Sequence, residues 1–301
     1  LIISAAGGHN LLMWGPPGTG KTMLARALPG ILPPLSPEEA LEVTRVYSVA
    51  GMLKAGEALM RRRPFRSPHH GVSSAGLIGG GSNPVPGEVS LAHLGVLFLD
   101  EMPEFGRGVL EGLRQPMEDG VVEIVRVMNR VKYPASFTLL AAINPCPCGY
   151  LGHPRRECKC SEKQISNYRQ KMSGPILDRI DLFVNVASVE IDKLQGGNIN
   201  GESSKLIRER VVMARDKQRE RLFKTGLFTN SQMRNKQVKD LAKLLPEAEK
   251  VLRLASLKFD LSARAYFRLI KVARTIADLI GKEEIGTEEM YEALMYRQRE
   301  K

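Results

Sequence analysis

The fold is decided by the stretch Gly15-Pro16-Pro17-Gly18-Thr19-Gly20-Lys21-Thr22. It fits the pattern G-x-x-x-x-G-K-[ST], in which glycines allow backbone N–H groups to curl around phosphate groups. An apolar run at 10–14 precedes it and indicates a short buried strand, and a helix over about 21–28 follows. The alternative is a chance glycine turn, but the flanking strand and helix are the context that a nucleotide-binding loop requires.

This loop predicts a site for ATP and Mg²⁺. We expect the backbone of residues 15–20 to hold the phosphates at the positive end of the following helix. Lys21 would reach the β- and γ-phosphates, and the Thr22 hydroxyl would be a ligand of Mg²⁺.

A second motif is Val96-Leu97-Phe98-Leu99-Asp100-Glu101. The four apolar residues predict a buried strand whose end delivers two carboxylates to the phosphate site. We expect Asp100 to hold Mg²⁺ and Glu101 to orient or activate the attacking water. The alternative is an ordinary strand that ends in acidic residues.

The remaining pattern indicates two regions. Further buried strands are predicted at 137–143 and 181–186, and helices between strands favour a parallel sheet with helices on both faces. After Gln195-Gly196-Gly197-Asn198 the pattern becomes helical, at 204–223, 246–259, 262–280 and 287–298. We therefore predict an α/β ATP-binding core over residues 1–187, a linker over 188–203 and an all-helical lid over 204–301.

Two segments of the predicted core stand apart. Residues 61–95 are rich in Gly, Pro and Ser and indicate a long functional loop or insertion. Residues 121–133 carry Val, Ile and Tyr in imperfect alternation and predict a β-hairpin.

All four cysteines, Cys146, Cys148, Cys158 and Cys160, lie between residues 146 and 160. Such clustering favours a metal rather than a spread of disulfides. Four thiolates suit a structural, tetrahedral Zn²⁺ with no position left for water. His153 is an alternative for one ligand, and incidental free thiols are the alternative for the whole set.

The net charge is +11, and most of this excess follows residue 201. It favours a polyanionic partner such as nucleic acid, with an ordinary solvated helical surface as the alternative. No apolar run of about 18 residues predicts a membrane span, and no leader pattern is visible, so we expect a cytoplasmic protein. Because Leu1 is not a Met and a strand begins soon after, we expect a further N-terminal region in the natural protein.

The motifs resemble those of the AAA+ ATPases, in particular the magnesium-chelatase-like branch and the ComM/YifB family. The resemblance runs through nearly all of the chain. It is carried by the two motifs above and by Arg63-Pro-Phe-Arg-Ser-Pro-His-His70, Gly79–Ser82 with Pro86–His93, and Asn144-Pro-Cys-Pro-Cys-Gly149. ComM-type proteins have an additional N-terminal domain that resembles Lon proteases; no protease dyad is visible here, and we predict no proteolysis.

The resemblance implies three further site residues. Asn144 matches sensor 1, which bonds the attacking water or the γ-phosphate, and Arg264 matches sensor 2. Arg179 matches the arginine finger, which reaches the ATP of the next subunit. Structural ion pairs are the alternative for both arginines. An arginine finger implies a homo-oligomeric ring, and a hexamer is the family expectation.

The resemblance also implies pore elements that touch a substrate. Arg126, Arg130 and Lys132 lie near the turn of the predicted hairpin, and Arg66 lies in the 61–95 segment. Basic loops in a ring suit contact with DNA phosphates. The alternative is solvated charge, or salt bridges between subunits.

Three functions follow as hypotheses. The first is a DNA motor of the ComM type, a helicase for branched DNA in natural transformation or recombination. The second is a magnesium-chelatase-type motor that remodels a protein partner. The third is an ATP-gated scaffold with little turnover, against which the intact set of predicted catalytic residues argues.

Overall fold

The computed structural model describes residues 1–56, 58–81, 84–125, 130–153, 156–172, 174–187 and 201–297. Its strands are β1 (Leu11–Trp14), β2 (Phe65–Arg66), β3 (Gly79–Gly80), β4 (Val85–Pro86), β5 (Val96–Leu99), β6 (Val121–Val125), β7 (Arg130–Pro134), β8 (Thr138–Ile143) and β9 (Leu182–Asn185). Five of them form the central sheet in the order β2-β5-β8-β1-β9. Every neighbouring pair in this sheet is parallel, as predicted.

The helices occupy the remaining elements. They are α1 (Ile2–Gly7), α2 (Lys21–Ile31), α3 (Pro37–Val49), α4 (Ser74–Ile78), α5 (Glu88–Leu91), α6 (Arg107–Glu111), α7 (Arg114–Asp119), α8 (Glu162–Gln170), α9 (Gly174–Leu177), α10 (Ser204–Leu222), α11 (Asn235–Leu241), α12 (Pro246–Lys258), α13 (Ala263–Leu279) and α14 (Thr287–Met295). Short 3₁₀ turns lie at Met102–Glu104, Phe223–Thr225 and Asn230–Gln232.

The strands form where the sequence is continuously apolar. Every residue of β5 and of β8 is buried, because a parallel sheet is covered by other elements on both of its faces. Alternate side chains point to opposite faces. Leu11 and Met13 therefore join the core shared with the C-terminal helices, and Leu12 joins the core on the other face. The α/β AAA+ architecture predicted from the sequence is confirmed.

The prediction of a long loop over 61–95 was wrong in its structure. The segment contains β2, which forms an edge of the central sheet, and the helices α4 and α5. These elements are too short for a periodic signal and are held by tertiary contacts. One such contact is the hydrogen bond from the Val96 N–H to the Pro64 carbonyl, 2.8 Å long.

The predicted hairpin is present, since β6 and β7 pair antiparallel with Glu123 opposite Lys132. Its residues 126–129 lie outside the described part of the chain, so the prediction for Arg126 does too. Most of the predicted linker, 188–200, also lies outside it. The last predicted helix ends at Met295 rather than at residue 298. Among the described helices, none has the length and apolar character needed to cross a membrane.

Candidate functional site

The glycine-rich loop lies between β1 and α2, at the edge of the sheet where the parallel strands end. Gly18 and Gly20 have φ angles of 78° and 86°, in the left-handed region that favours glycine. A side chain at Gly15 would place its Cβ 2.1 Å from the Val186 carbonyl oxygen. Glycine is therefore required both for the curl of the loop and for its close approach to the backbone after β9.

Lys21 connects this loop to the end of β8. Its ammonium donates hydrogen bonds to the carbonyls of Gly15 and Pro16, at 2.6 and 2.8 Å, and to Asn144 Oδ1 at 3.3 Å. Burial lowers the pKa of Lys21, and the nearby carboxylates of Asp100 and Glu101 oppose this shift. The structure thus brings together three of the predicted site residues from three different strand ends, with Lys21 beside Asn144 and near Asp100.

Thr22 and Asp100 form the second contact of the site. The Thr22 hydroxyl donates to Asp100 Oδ2 at 2.8 Å, and the Glu101 N–H donates to Asp100 Oδ1 at 3.0 Å. A hydroxyl and a carboxylate beside a phosphate-binding loop are hard oxygen ligands, the set that Mg²⁺ uses together with substrate phosphates. The residues present therefore fit a Mg²⁺–nucleotide complex.

Glu101 has an unusual backbone conformation. Its φ of 50° is left-handed although it is not a glycine, which costs about 1 kcal/mol. Its side chain is exposed, at the same edge as the glycine-rich loop. Strain of this kind clusters at functional sites.

Arg179 and Arg264 lie elsewhere. Arg179 directly precedes β9 and therefore sits at the opposite edge of the sheet, where its carbonyl accepts a hydrogen bond from Asn10 at the start of β1. Its guanidinium pairs with Glu118 and with the Pro175 carbonyl. Arg264 Nη2 is 3.5 Å from the same Glu118 carboxylate. The two arginines thus share Glu118 and are separated from the glycine-rich loop by the length of a strand, about 13 Å.

The four cysteine side chains converge. Their sulfur atoms all lie within 4.8 Å of one another. The Cys146 sulfur lies 3.4 Å from that of Cys148 and 3.6 Å from that of Cys158. These separations exceed the ~2.05 Å of a disulfide and approach the ~3.8 Å between thiolates around tetrahedral Zn²⁺. A hydrogen bond from the Tyr150 N–H is the main cause that lowers the pKa of Cys148 to about 6. The cluster therefore suits a thiophilic cation.

His153 is not among the four converging groups; its Nδ1 accepts a hydrogen bond from the Arg156 N–H at 3.1 Å. The cysteine loop, residues 146–160, also touches the nucleotide-binding loop. A Cβ at Gly149 would lie 2.6 Å from Pro17 Cδ. The metal-binding geometry and the phosphate-binding geometry are thus packed against each other.

Sequence reasoning missed two residues of these sites. Glu118, the shared partner of the two arginines, ends a short helix without any local signal. Tyr168 is buried, and burial raises its pKa to about 12, opposed by a hydrogen bond from the Asn144 backbone. Its helix α8 begins with a capping box, in which the Ser161 hydroxyl accepts from the Gln164 N–H. That S-x-x-Q pattern could have revealed the helix from sequence.

The predicted DNA contacts differ in their surroundings. Arg130 and Lys132 are exposed on β7, and both lie beside Glu123, which pairs with Arg130 and is 3.8 Å from the Lys132 ammonium. Arg66 is half-buried and donates two hydrogen bonds of 2.6 Å to Glu88. The contact of these residues with DNA stays a prediction, and for Arg66 the structure supplies a partner within the chain.

Comparison with known proteins gives matches over nearly the whole chain. The family model described as magnesium chelatase, subunit ChlI, matches residues 1–194, and the model of the ChlI C-terminal region matches residues 201–297. The chain is 46% identical over 298 residues to the competence protein ComM of Haemophilus influenzae and 44% identical over 298 residues to YifB of Escherichia coli. Each alignment covers 99% of this chain but 57% of the relative, so the chain spans little more than half of their length.

A more distant match is the magnesium-chelatase 67 kDa subunit of Heliobacterium mobile. It is 27% identical over 194 residues, which cover 55% of this chain and 29% of that protein.

Proposed function

The chain is a ComM-like member of the magnesium chelatase subunit ChlI family of AAA+ proteins, and on that premise we propose that it is the ATP-hydrolysing part of a ring motor that acts on DNA. The observation that carries the proposal is the meeting of Lys21 with Asn144 and of Thr22 with Asp100 at one edge of the sheet. These contacts join side chains from three strand ends around one phosphate-binding loop.

Each residue of this site has a proposed role. The backbone of residues 15–20 binds the phosphates, and the Lys21 ammonium neutralises the charge that develops on the γ-phosphoryl group. Thr22 and Asp100 would hold Mg²⁺, which supplies charge stabilisation and orients the phosphates when bound. Glu101 accepts the proton of the attacking water, and the Asn144 amide orients that water.

The two arginines act on a neighbouring subunit. Arg179 lies at the sheet edge opposite the glycine-rich loop of its own chain, and Arg264 shares its Glu118 partner. Neither can therefore stabilise charge at its own site without crossing the sheet. In a closed ring, this edge of one subunit faces the nucleotide of the next, so that Arg179 serves as arginine finger and Arg264 as sensor 2. We propose a hexamer, the usual closure for this family.

The proposed organisation follows the same division. Residues 1–187 form the ATP-binding core, residues 188–203 the linker and residues 204–301 the helical lid. The cysteine loop holds a structural Zn²⁺ through Cys146, Cys148, Cys158 and Cys160, and this ion keeps Gly149 against Pro17. We propose a cytoplasmic location.

DNA is the proposed substrate for two reasons. The similar protein of Haemophilus influenzae is named for competence, and the chain has a net charge of +11. Arg130 and Lys132 project from the hairpin, where they suit sequence-independent phosphate contacts. Arg126 lies in the same hairpin, and Arg66 would contact DNA only on release from Glu88. The proposed activity is helicase action or branch migration in natural transformation or recombination.

A second function is favoured by a specific observation, the similarity to the magnesium-chelatase 67 kDa subunit. In that case the same ATPase remodels a protein partner rather than DNA. The two functions differ in whether DNA changes the rate of hydrolysis.

The test measures unwinding of a labelled four-way junction by this chain with ATP, beside Lys21→Ala as the variant without a phosphate-binding lysine. ATP-dependent strand release by the wild type alone supports the DNA motor. Steady hydrolysis with no strand release on single-strand, duplex or junction substrates contradicts it and favours the protein-remodelling function.

A further inference from the structure

The loop that carries Arg179 is held by the helical part of the chain. This finger loop, residues 178–181, connects α9 to β9. Arg268 of α13 donates a hydrogen bond of 2.7 Å from Nη1 to the Ile180 carbonyl, and the same atom is 3.4 Å from the Asp178 carbonyl. One guanidinium from the lid thus spans the backbone on both sides of Arg179.

Arg268 is fixed rather than solvated. Burial lowers its pKa, opposed by the charges of Asp181 and Asp178, and its guanidinium lies 5.8 Å from the centre of the Phe183 ring. A buried arginine that donates to backbone carbonyls has few alternative positions. Its contact therefore transmits the position of α13 to the finger loop.

A second connection runs from the same helix. Asp181, the last residue of the finger loop, accepts a hydrogen bond of 3.2 Å from His9 Nδ1. The other ring nitrogen of His9 is 2.8 Å from the hydroxyl of Thr275, which belongs to α13. His9 and Thr275 are fully buried. The finger loop is thus attached to α13 both directly and through His9.

Helix α13 also carries the second arginine of this edge. Arg264 is four residues before Arg268, so both side chains lie on one face of the helix. Arg264 approaches Glu118, which also pairs with Arg179, and its Nη1 is 3.7 Å from the Asp178 carboxylate. A movement of α13 would therefore displace both arginines together.

We propose that Arg268 is a positioning residue that sets the arginine finger: through the two flanking carbonyls it couples the orientation of the lid helix to the position of Arg179 at the neighbouring subunit's nucleotide. This inference rests on the proposed function, in which Arg179 acts on the next subunit. A change of lid orientation then switches the finger of one subunit and the hydrolysis at the next. A residue that only stabilised the fold would lack this effect on a neighbouring site.

The test is complementation between subunits. The Arg268→Ala chain keeps an intact nucleotide site but presents a displaced finger, whereas Glu101→Gln keeps its finger but lacks the proposed general base. In a ring mixed from both, some interfaces combine the intact site of the first chain with the intact finger of the second. Arg268→Ala alone is expected to lower kcat about tenfold to a hundredfold with KM for ATP unchanged. The mixture is expected to exceed the summed rates of its two components.

Two mixtures with Glu101→Gln serve as controls. Arg179→Ala is expected to be rescued, since the finger is what it lacks, and Lys21→Ala is not, since its own site is defective. If Arg179→Ala is not rescued, the proposed action between subunits fails. If Arg179→Ala is rescued and Arg268→Ala is not, or if Arg268→Ala hydrolyses ATP at the wild-type rate, the role of Arg268 is overturned.

Arg268→Lys provides the same test should the alanine variant not fold. It keeps the positive charge but replaces the planar guanidinium, which faces two carbonyls, with a single ammonium. It is expected to lower kcat in the same direction and to be rescued by Glu101→Gln. A lysine variant with wild-type kcat, or one without rescue, overturns the proposal.

Discussion

The hydroxyl of Thr22 donates a 2.8 Å hydrogen bond to the carboxylate of Asp100, although 78 residues separate them along the chain. The contact exists because β1 and β5 are parallel members of one sheet, so that the segments following them emerge at the same edge. It places two oxygen ligands beside the phosphate-binding loop. Those two atoms are the proposed protein ligands of Mg²⁺.

The first prediction concerns this pair. Thr22→Val removes the hydroxyl at almost constant volume and is expected to raise the Mg²⁺ concentration for half-maximal ATP hydrolysis about 10–100-fold. Thr22→Ser keeps the hydroxyl and is the matched control. A Mg²⁺ titration of the steady-state rate makes the comparison, and equal Mg²⁺ requirements for the Val and Ser variants would contradict the assignment.

The second prediction concerns the cysteine loop. Cys158→Ser removes one of the four converging sulfur atoms and is expected to lower the zinc content, the melting temperature and the rate of ATP hydrolysis together, because Gly149 of this loop packs on Pro17. Lys159→Ala, an exposed neighbour, keeps all four thiols and should change none of them. Elemental analysis of protein purified without chelator decides, and a wild type that contains no zinc would sink the assignment.

The third prediction concerns acid stability. Burial acts to raise the pKa of Asp181, but the His9 hydrogen bond and the charges of His9, Lys271 and Arg268 together bring it below the ordinary 3.8. A depressed carboxyl pKa contributes stability that is fully present above the unfolded value, near 3.8, and is lost as pH falls through the folded value.

Asp181→Asn is therefore expected to be less stable near neutral pH and to lose less stability than the wild type as the pH falls below about 4. Urea unfolding midpoints, measured from neutral pH down to about pH 3, compare the two slopes. Parallel acid limbs for the two proteins would show that Asp181 does not titrate with unfolding.

The fourth prediction concerns the hairpin. Replacing Arg130 and Lys132 with Ala is expected to weaken DNA binding for all sequences alike and to reduce the salt dependence by about one unit per lost phosphate contact. Glu123→Gln removes the carboxylate beside both cations and should strengthen binding. Arg45→Ala, on the exposed surface of α3, is the control for net charge. Binding isotherms at several salt concentrations test the set, and equal slopes for the hairpin and control variants would exclude these contacts.

Much of the fold could be predicted because its signals are local. The apolar runs at 10–14, 96–99 and 137–143 located β1, β5 and β8 to within one residue, and the turn chemistry of 15–22 located the loop between strand and helix. The edge strand β2 could not be found in this way. Two residues leave no periodicity, and their strand geometry comes from pairing with β5.

The surroundings of the site depended on contacts between distant segments. Nothing near Glu118 indicates that Arg179 and Arg264 share its carboxylate, and nothing near His9 indicates a connection to Asp181 and Thr275. Such partners are set by how the helical region packs on the sheet. The sequence could name arginine candidates but not the helix that holds them.

The central claim, an ATP-hydrolysing motor driven from the glycine-rich loop, is tested most directly by one measurement. Steady-state ATP hydrolysis is followed for the wild type and for Glu101→Gln, with and without DNA, at low and high salt. We predict hydrolysis that depends on Glu101, rises with DNA and loses that rise at high salt. A wild-type rate no greater than that of Glu101→Gln would contradict the claim.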